Sequence, residues 1–205
     1  TDILLPSGSD FLHHISSGNS HACALDEESH GYCWGSNALN QSLRDLDDDA
    51  ITRPTRVPTP DRSYEPGTLE PTRSVHEKWA QIVTGVNHSC GLSHRGYVYC
   101  WGQNDSLQLG WLDQDENIEQ DPDFSAIRLP ANMMDERIHH LSAGANHTCA
   151  LSFAGELLCW GNNSKVQARP GSEDAEARVP PLPSVINFPN DVTSFERLWT
   201  GPNST

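Results

Sequence analysis

The sequence predicts an all-β fold assembled from tandem repeats, three complete copies and the start of a fourth. Three observations carry this. An eight-residue pattern returns at fixed offsets along the chain. Each return runs on into a stretch with the composition of a β-hairpin. Fourteen Pro and 15 Gly in 205 residues, with few long helix-forming runs, favour turns over helices.

The pattern opens at Gly18, Gly85 and Gly144. His follows three residues on (His21, His88, His147), Cys five on (Cys23, Cys90, Cys149) and Leu seven on (Leu25, Leu92, Leu151). A second Cys stands fifteen on (Cys33, Cys100, Cys159), followed at once by Trp34-Gly35, Trp101-Gly102 and Trp160-Gly161. Asn37, Asn104 and Asn163, then Gln41, Gln108 and Gln167, extend the match. Upstream, Ile15, Ile82 and Leu141 lie three before the glycine, and Leu12, Trp79 and Ile138 six before. The windows Leu12–Gln41, Trp79–Gln108 and Ile138–Gln167 align without a gap. Phe195, Leu198, Gly201 and Asn203 begin a fourth copy, with Ser204 in the histidine position. Identity recurring at fixed offsets within each copy is the signature of a repeat architecture.

Within a copy, Cys-x-Leu leads through polar residues and a glycine into an apolar run ending in Cys-Trp-Gly, which predicts a hairpin. With Cys90 facing Cys100, the turn centres on Arg95, and Ser93-His94-Arg95-Gly96 suits a short loop. His88, Cys90 and Leu92 then share one face. Ala126 to Pro130 and Ser184 to Asn187 are short strand-like pieces expected to supply outer or linking strands.

The stretches between windows are acidic. Asp45–Arg73, Trp111–Asp135 and Pro170–Pro183 hold the runs Asp47-Asp48-Asp49 and Asp113 to Asp123. They are expected to be solvated loops on one rim, or an acidic surface for a basic partner. Thirteen Lys and Arg against 28 Asp and Glu give a net charge of −15, which argues against nucleic acid and anionic membranes as partners. No apolar stretch approaches the roughly 20 residues of a spanning helix. The chain opens at Thr1 with no charged-then-apolar leader, so any signal peptide is expected to be removed or to lie outside this segment.

His21, His88 and His147 recur once per copy, which assigns them to the repeat's own construction, as buried imidazoles bonded to a neighbouring strand's backbone. His13-His14 and His139-His140 occupy equivalent places in copies one and three, expected as exposed strand positions or a pH-sensitive surface. Trp34, Trp101 and Trp160 are expected to fill the core between copies, the alternative being an aromatic row lining a sugar site. No nucleophile elbow, phosphate loop, zinc-protease helix or dinucleotide fingerprint is present, so neither a catalytic residue nor a cofactor is expected.

The pattern Ile-x-x-Gly-x-x-His-x-Cys-Ala-Leu, followed by Cys-Trp-Gly-x-Asn and Gln, resembles the repeat of the regulator of chromosome condensation family. That resemblance implies a β-propeller with one four-stranded blade per repeat, seven in the typical member. This chain would then be an open arc of a larger propeller: 1–11 the end of a preceding blade or a linker, 12–78, 79–137 and 138–194 the three repeats, and 195–205 the start of the fourth. The chain departs from the intracellular type in its paired cysteines and in its long glycine-to-glycine spacings of 67, 59 and 57. Gln-Leu-Gly, the usual close of the repeat, survives only at Gln108-Leu109-Gly110. Cysteine-containing blades are similar to secreted and surface members, including plant receptor-kinase ectodomains of the crinkly type.

Six cysteines allow fifteen pairings, and the regular repetition selects Cys23–Cys33, Cys90–Cys100 and Cys149–Cys159. The alternatives are six buried thiols in a cytosolic protein, or zinc, for which each copy offers three ligands where a structural site takes four. Asn40, Asn87, Asn104, Asn146, Asn162 and Asn203 each open a glycosylation sequon, with Asn87 and Asn146 placed inside the repeat where burial would exclude modification. Together these point to an extracellular or cell-surface, non-enzymatic module binding a protein partner, a basic one if the acidic loops are its contact. The alternatives are a guanine-nucleotide exchange factor for a small GTPase in cytoplasm or nucleus, and an accessory or substrate-binding propeller of a larger enzyme or receptor.

Overall fold

The computed structural model describes residues 11–43, 48–59, 61–62, 75–76, 78–110, 126–127, 129–130, 133, 136–164, 183–186 and 194–202. All of its regular elements of more than one residue are strands: β1 (Leu12–Ser17), β2 (His21–Asp26), β3 (Gly31–Ser36), β4 (Ala50–Arg56), β5 (Asp61–Arg62), β6 (Val75–His76), β7 (Trp79–Thr84), β8 (His88–Ser93), β9 (Val98–Gly102), β10 (Ile138–Ala143), β11 (His147–Ser152), β12 (Leu157–Gly161) and β13 (Ser184–Val185). Antiparallel sheets ordered β1-β2-β3-β4, β7-β8-β9 and β10-β11-β12-β13 form three successive blades of an open arc. β5 and β6 pair separately as a two-stranded ribbon.

The hairpins follow from local chemistry. Cys90 pairs directly with Cys100, Cys149 with Cys159 and Cys23 with Cys33, and each pair is a disulfide with Cα atoms 4.1 Å apart. Cross-strand neighbours in a non-hydrogen-bonded pair stand at about that spacing. The turn Ser93–Gly96 closes with Gly96 N donating to Ser93 O at 2.9 Å, and Gly96 takes φ 83°, which a side chain would disfavour. Gly155 repeats this in the third blade. In the first blade a non-glycine, Ser29, holds φ 67°. There the Asp26 carboxylate accepts from Glu28 N (2.9 Å), His30 N (2.8 Å) and the Tyr32 hydroxyl (3.0 Å), fixing the turn from below.

The fourth strand is tied in by one recurring bond. Val57 N donates to Gly31 O, Ile127 N to Val98 O and Ile186 N to Leu157 O, each at 2.8 Å. The Ala126 and Ser184 pieces thus lie on the outer side of blades two and three. The next blade's innermost strand is anchored on the preceding hairpin turn: Trp79 N to Ser29 O, Ile138 N to Gly96 O and Phe195 N to Gly155 O.

Because blades stack face to face, β8 and β11 are buried on both sides and show no exposed face. Trp79, Ile82, Tyr99 and Trp101 fill the core between blades one and two, with the Cys23–Cys33 bridge. Leu109, Met133, Leu141 and Trp160 fill the core between two and three.

The expectation of acidic loops on a single rim needs correction. Asp45–Arg73 contains an outer strand, β4, and the remaining length of this stretch, with β5, follows Val57 at the end of the blade bearing the Glu27–His30 turn. Asp48 and Asp49 of the same stretch lie at the opposite end, where Asn37 N donates to Asp49 O, so one stretch touches both ends of its blade. Most of the acidic length, with Asp47, Gln167 and Asn203, lies outside the described residues.

Candidate interaction surface

The opening glycines meet at the arc's inner edge. A Cβ added to Gly85 would stand 2.6 Å from the Gly144 carbonyl and against its own copy's His88 ring. One added to Gly144 would stand 2.7 Å from the Gly201 carbonyl. Blades can approach this closely only because the side chain is absent. The turns around these glycines line a cavity of about 270 Å³, walled by residues such as Ser17, Asn19, Thr84, Ala145, Thr200 and Pro202.

Behind each glycine, histidine crosses to the next blade. Ser89 Oγ donates to Gln41 O (2.7 Å), so it accepts the Nε2–H of His21 (2.9 Å). Thr148 Oγ1 donates to Gln108 O (3.0 Å) and accepts from His88 Nε2 (2.9 Å). The expected backbone partner is therefore a side-chain hydroxyl, itself seated on a backbone carbonyl. Burial pushes His21 down to about 4 and His88 to about 3 from 6.5; the neighbouring imidazoles of His21 and His147 lower His88 further, while a His88 backbone bond opposes the shift at His21.

Asn and Gln of the repeat present those carbonyls. Asn37 Oδ1 accepts from Ser42 N and Leu43 N, Asn104 Oδ1 from Leu109 N, and the Gln41 and Gln108 amide oxygens from Leu39 N and Ser106 N. The loop thus wraps its own side chains and turns the glutamine carbonyl toward the next blade. Trp160 Nε1 donates to the same Gln108 carbonyl at 2.9 Å. Trp101 and Trp160 are buried between blades, whereas Trp34, on the first blade, is only half-buried. Trp34 and Trp101 pack on the cluster between blades one and two and Trp160 on that between two and three, so the three form no exposed row.

The histidine doublets diverge. His13 and His14 are exposed, and His14 takes φ 52°; burial of part of the ring, then His13 and His140, lower its pKa. His140 instead donates Nε2 to Leu198 O at 3.0 Å, and His139 packs on exposed Phe153 with centroids 5.0 Å apart.

Of the sequons, Asn104 is buried with its side chain bonded in the loop, which no spacing rule indicates. Asn40, Asn87, Asn146 and Asn162 are half-buried. The six sulfurs are paired in disulfides, so none is a thiolate ligand. Among the described residues no three His, Cys, Asp or Glu side chains gather as a metal site, and no helix is long and apolar enough to cross a membrane.

Charge separates along the blades. At the end bearing the glycine turns and the Asn–Gln loops, the charged side chains among the described residues are Asp48, Asp49 and Asp105, all exposed. Arg53 stands exposed midway along β4, and Arg56, Lys78, Arg95 and Arg137 lie at the opposite end, mixed with Glu27, Glu28, Glu136 and Glu156. Arg137 there stacks over the Tyr97 ring at 4.6 Å.

Profiles of the regulator of chromosome condensation (RCC1) repeat match residues 13–41, 79–108 and 138–167, and again 95–151. The chain is 26% identical over 158 residues to Protein RCC1 of Candida albicans, covering 73% of this chain and 32% of that protein. It is 32% identical over 154 residues to the human X-linked retinitis pigmentosa GTPase regulator, covering 75% of this chain and 13% of the relative. It therefore spans a third or less of these relatives' length. Among solved structures it superposes on yeast RCC1 bound to Kap60 with a TM-score of 0.61 at 26% identity, over 89% of this chain and 39% of that one. Human WBSCR16 gives the same TM-score at 18% identity, over 89% and 41%, a likeness of fold. From its repeats, its blades and these matches, the chain belongs to the regulator of chromosome condensation repeat family and folds as an open arc of β-propeller blades.

Proposed function

We propose that this chain is a non-catalytic protein-interaction module whose acidic, turn-bearing end receives a basic partner surface. The observation that carries this is the charge separation: only carboxylates among the described charges at that end, on blades stiffened by one disulfide each. Acidic stretches on a rigid frame suit electrostatically steered recognition. Yeast RCC1, on which this chain superposes, is seen bound to the protein Kap60, which supports binding as the role of such propellers. The test is binding of a Lys/Arg-rich peptide panel to the wild-type chain and to the Asp48→Lys/Asp49→Lys/Asp105→Lys variant across a salt series. Salt-sensitive binding that the variant loses supports the reading; equal binding by both overturns it.

A second reading is regulation of a small GTPase, supported by the 32% identity to a protein named as a GTPase regulator. Accelerated release of a fluorescent guanine nucleotide from a small GTPase would favour it. The disulfide in every blade supports an extracellular or surface setting, since such bonds persist in oxidising compartments. Six free thiols in protein from its native source would reverse that assignment.

A further inference from the structure

Nine residues after the opening glycine, each blade places one side chain at the tip of its hairpin: Glu27, His94 and Phe153. All three are exposed. His94 Nε2 stands 3.2 Å from Ser29 Oγ on the turn of the preceding blade, so this position leans toward the seam in front of its own blade. For Phe153 that is the interior seam between blades two and three, and the side chain is 74% exposed there. A single exposed apolar side chain is ordinary, but Phe153 does not stand alone.

Phe153 N donates to Arg137 O at 3.0 Å, and the His139 ring packs on the phenyl ring with centroids 5.0 Å apart. The Arg137 side chain crosses the seam over Gly96, where an added Cβ would stand 2.8 Å from its own Cβ. Its guanidinium lies over the Tyr97 ring, 4.6 Å from the centroid. Tyr97, Arg137, Phe153 and His139 thus form one strip across blades two and three. Stacking holds the guanidinium flat on the ring and leaves its N–H edge for a carboxylate. Neither Arg137 nor Lys78 has a carboxylate partner among the described residues. On blades two and three at this end, the fully exposed charged side chains among the described residues are Lys78, Arg95 and Arg137, all cationic. Glu136 and Glu156 are half-buried.

We propose that this strip is a second docking surface, at the end of the blades opposite the acidic one, and that it receives an acidic protein segment carrying an apolar side chain. The carboxylate of that segment meets the Arg137 fork, and its apolar side chain lies against Phe153. Exposed cations set the sign of the partner's charge, and the exposed ring sets the need for an apolar anchor. Aromatic and arginine side chains carry much of the binding energy at protein interfaces. An arginine already fixed by stacking loses less freedom on binding. The chain's net charge of −15 acts weakly at this contact, because charges farther apart than about 8 Å are largely screened at physiological ionic strength. Binding here is independent of any partner at the acidic end.

The test is fluorescence anisotropy of a labelled peptide that alternates Asp or Glu with Phe or Leu, titrated with the whole chain at physiological ionic strength. Saturable binding is expected. Arg137→Gln and Phe153→Ser should each weaken it about tenfold or more. Arg137→Lys keeps the charge but loses the fork, and should bind as weakly as Arg137→Gln. Both residues are exposed, so melting of the variants should match wild type. A peptide with Ser in place of its apolar residues should bind about tenfold more weakly. The Asp48→Lys/Asp49→Lys/Asp105→Lys variant should still bind the acidic peptide, and Phe153→Ser should still bind Lys/Arg-rich peptides, so the two ends fail separately. No saturable binding by wild type, or binding that either variant leaves unchanged, overturns the proposal. Equal binding of the Ser peptide overturns the apolar anchor. A sulfated polysaccharide that binds more tightly than the peptide, through the same two side chains, overturns the protein segment in favour of an acidic glycan.

Discussion

Nε2 of His88 stands 2.9 Å from the hydroxyl of Thr148, sixty residues away and one blade over, and that hydroxyl rests on the carbonyl of Gln108. One side chain from each blade and one loop carbonyl thus make a seam in which every proton has a destination. Thr148→Val keeps the shape and removes the hydroxyl, leaving a buried imidazole N–H without an acceptor. The expected loss is about 1–3 kcal/mol. A urea midpoint unchanged from wild type would show that the seam does not depend on this bond.

Acid should open the same seams. His21 and His88 titrate near 4 and near 3 in the folded chain against 6.5 when free, so the unfolded chain binds protons more readily. Stability is therefore complete above about pH 6.5 and declines as pH falls toward 4, by roughly 3 kcal/mol per imidazole at pH 4. Urea melts at several pH values should show the decline. His21→Gln, which keeps a donor but cannot protonate, should remove about half of it and leave the share of His88; an identical pH slope in that variant would assign the effect elsewhere.

Gly85→Ala should be among the most damaging single changes. Its Cβ would stand 2.6 Å from the Gly144 carbonyl, a backbone atom that cannot move without shifting the neighbouring blade. The expected cost exceeds about 2 kcal/mol, as overpacking at a close contact does. A melting temperature within a degree or so of wild type would contradict the close approach.

Each disulfide closes a loop with a sequence separation of 10. Cys90→Ser/Cys100→Ser should cost roughly 2–3 kcal/mol by the chain-entropy estimate. Chemical denaturation of oxidised chain, reduced chain and this variant checks it. Equal stability of all three would mean that the hairpin needs no staple.

Expression through a eukaryotic secretory pathway tests the sequons. Asn104 is expected to stay unmodified, because its side chain is buried and accepts from Leu109 N. Glycopeptide mass spectrometry of that peptide decides the matter; a glycan on Asn104 in folded protein would show that the loop opens.

The sequence by itself determined the hairpins. Cys90 opposite Cys100, Gly96 in the turn and the alternation between them are encoded within about ten residues, where short loop closure and turn chemistry are enough. The repeat pattern also carried the family and the arc of blades. It did not disclose that His21 and His88 meet hydroxyls 68 and 60 residues away, since no local preference links positions so far apart. Nor did it separate Ile15, exposed, from Ile82, buried, although the two are equivalent in the repeat. Nor did composition disclose that the Asp45–Arg73 stretch holds an outer strand running from Asp49 at one end of the blade to Val57 at the other: it marks a solvated loop but not the ends of the blade that the loop joins. Only stacking decided these, because burial belongs to a blade's neighbours and not to its own residues.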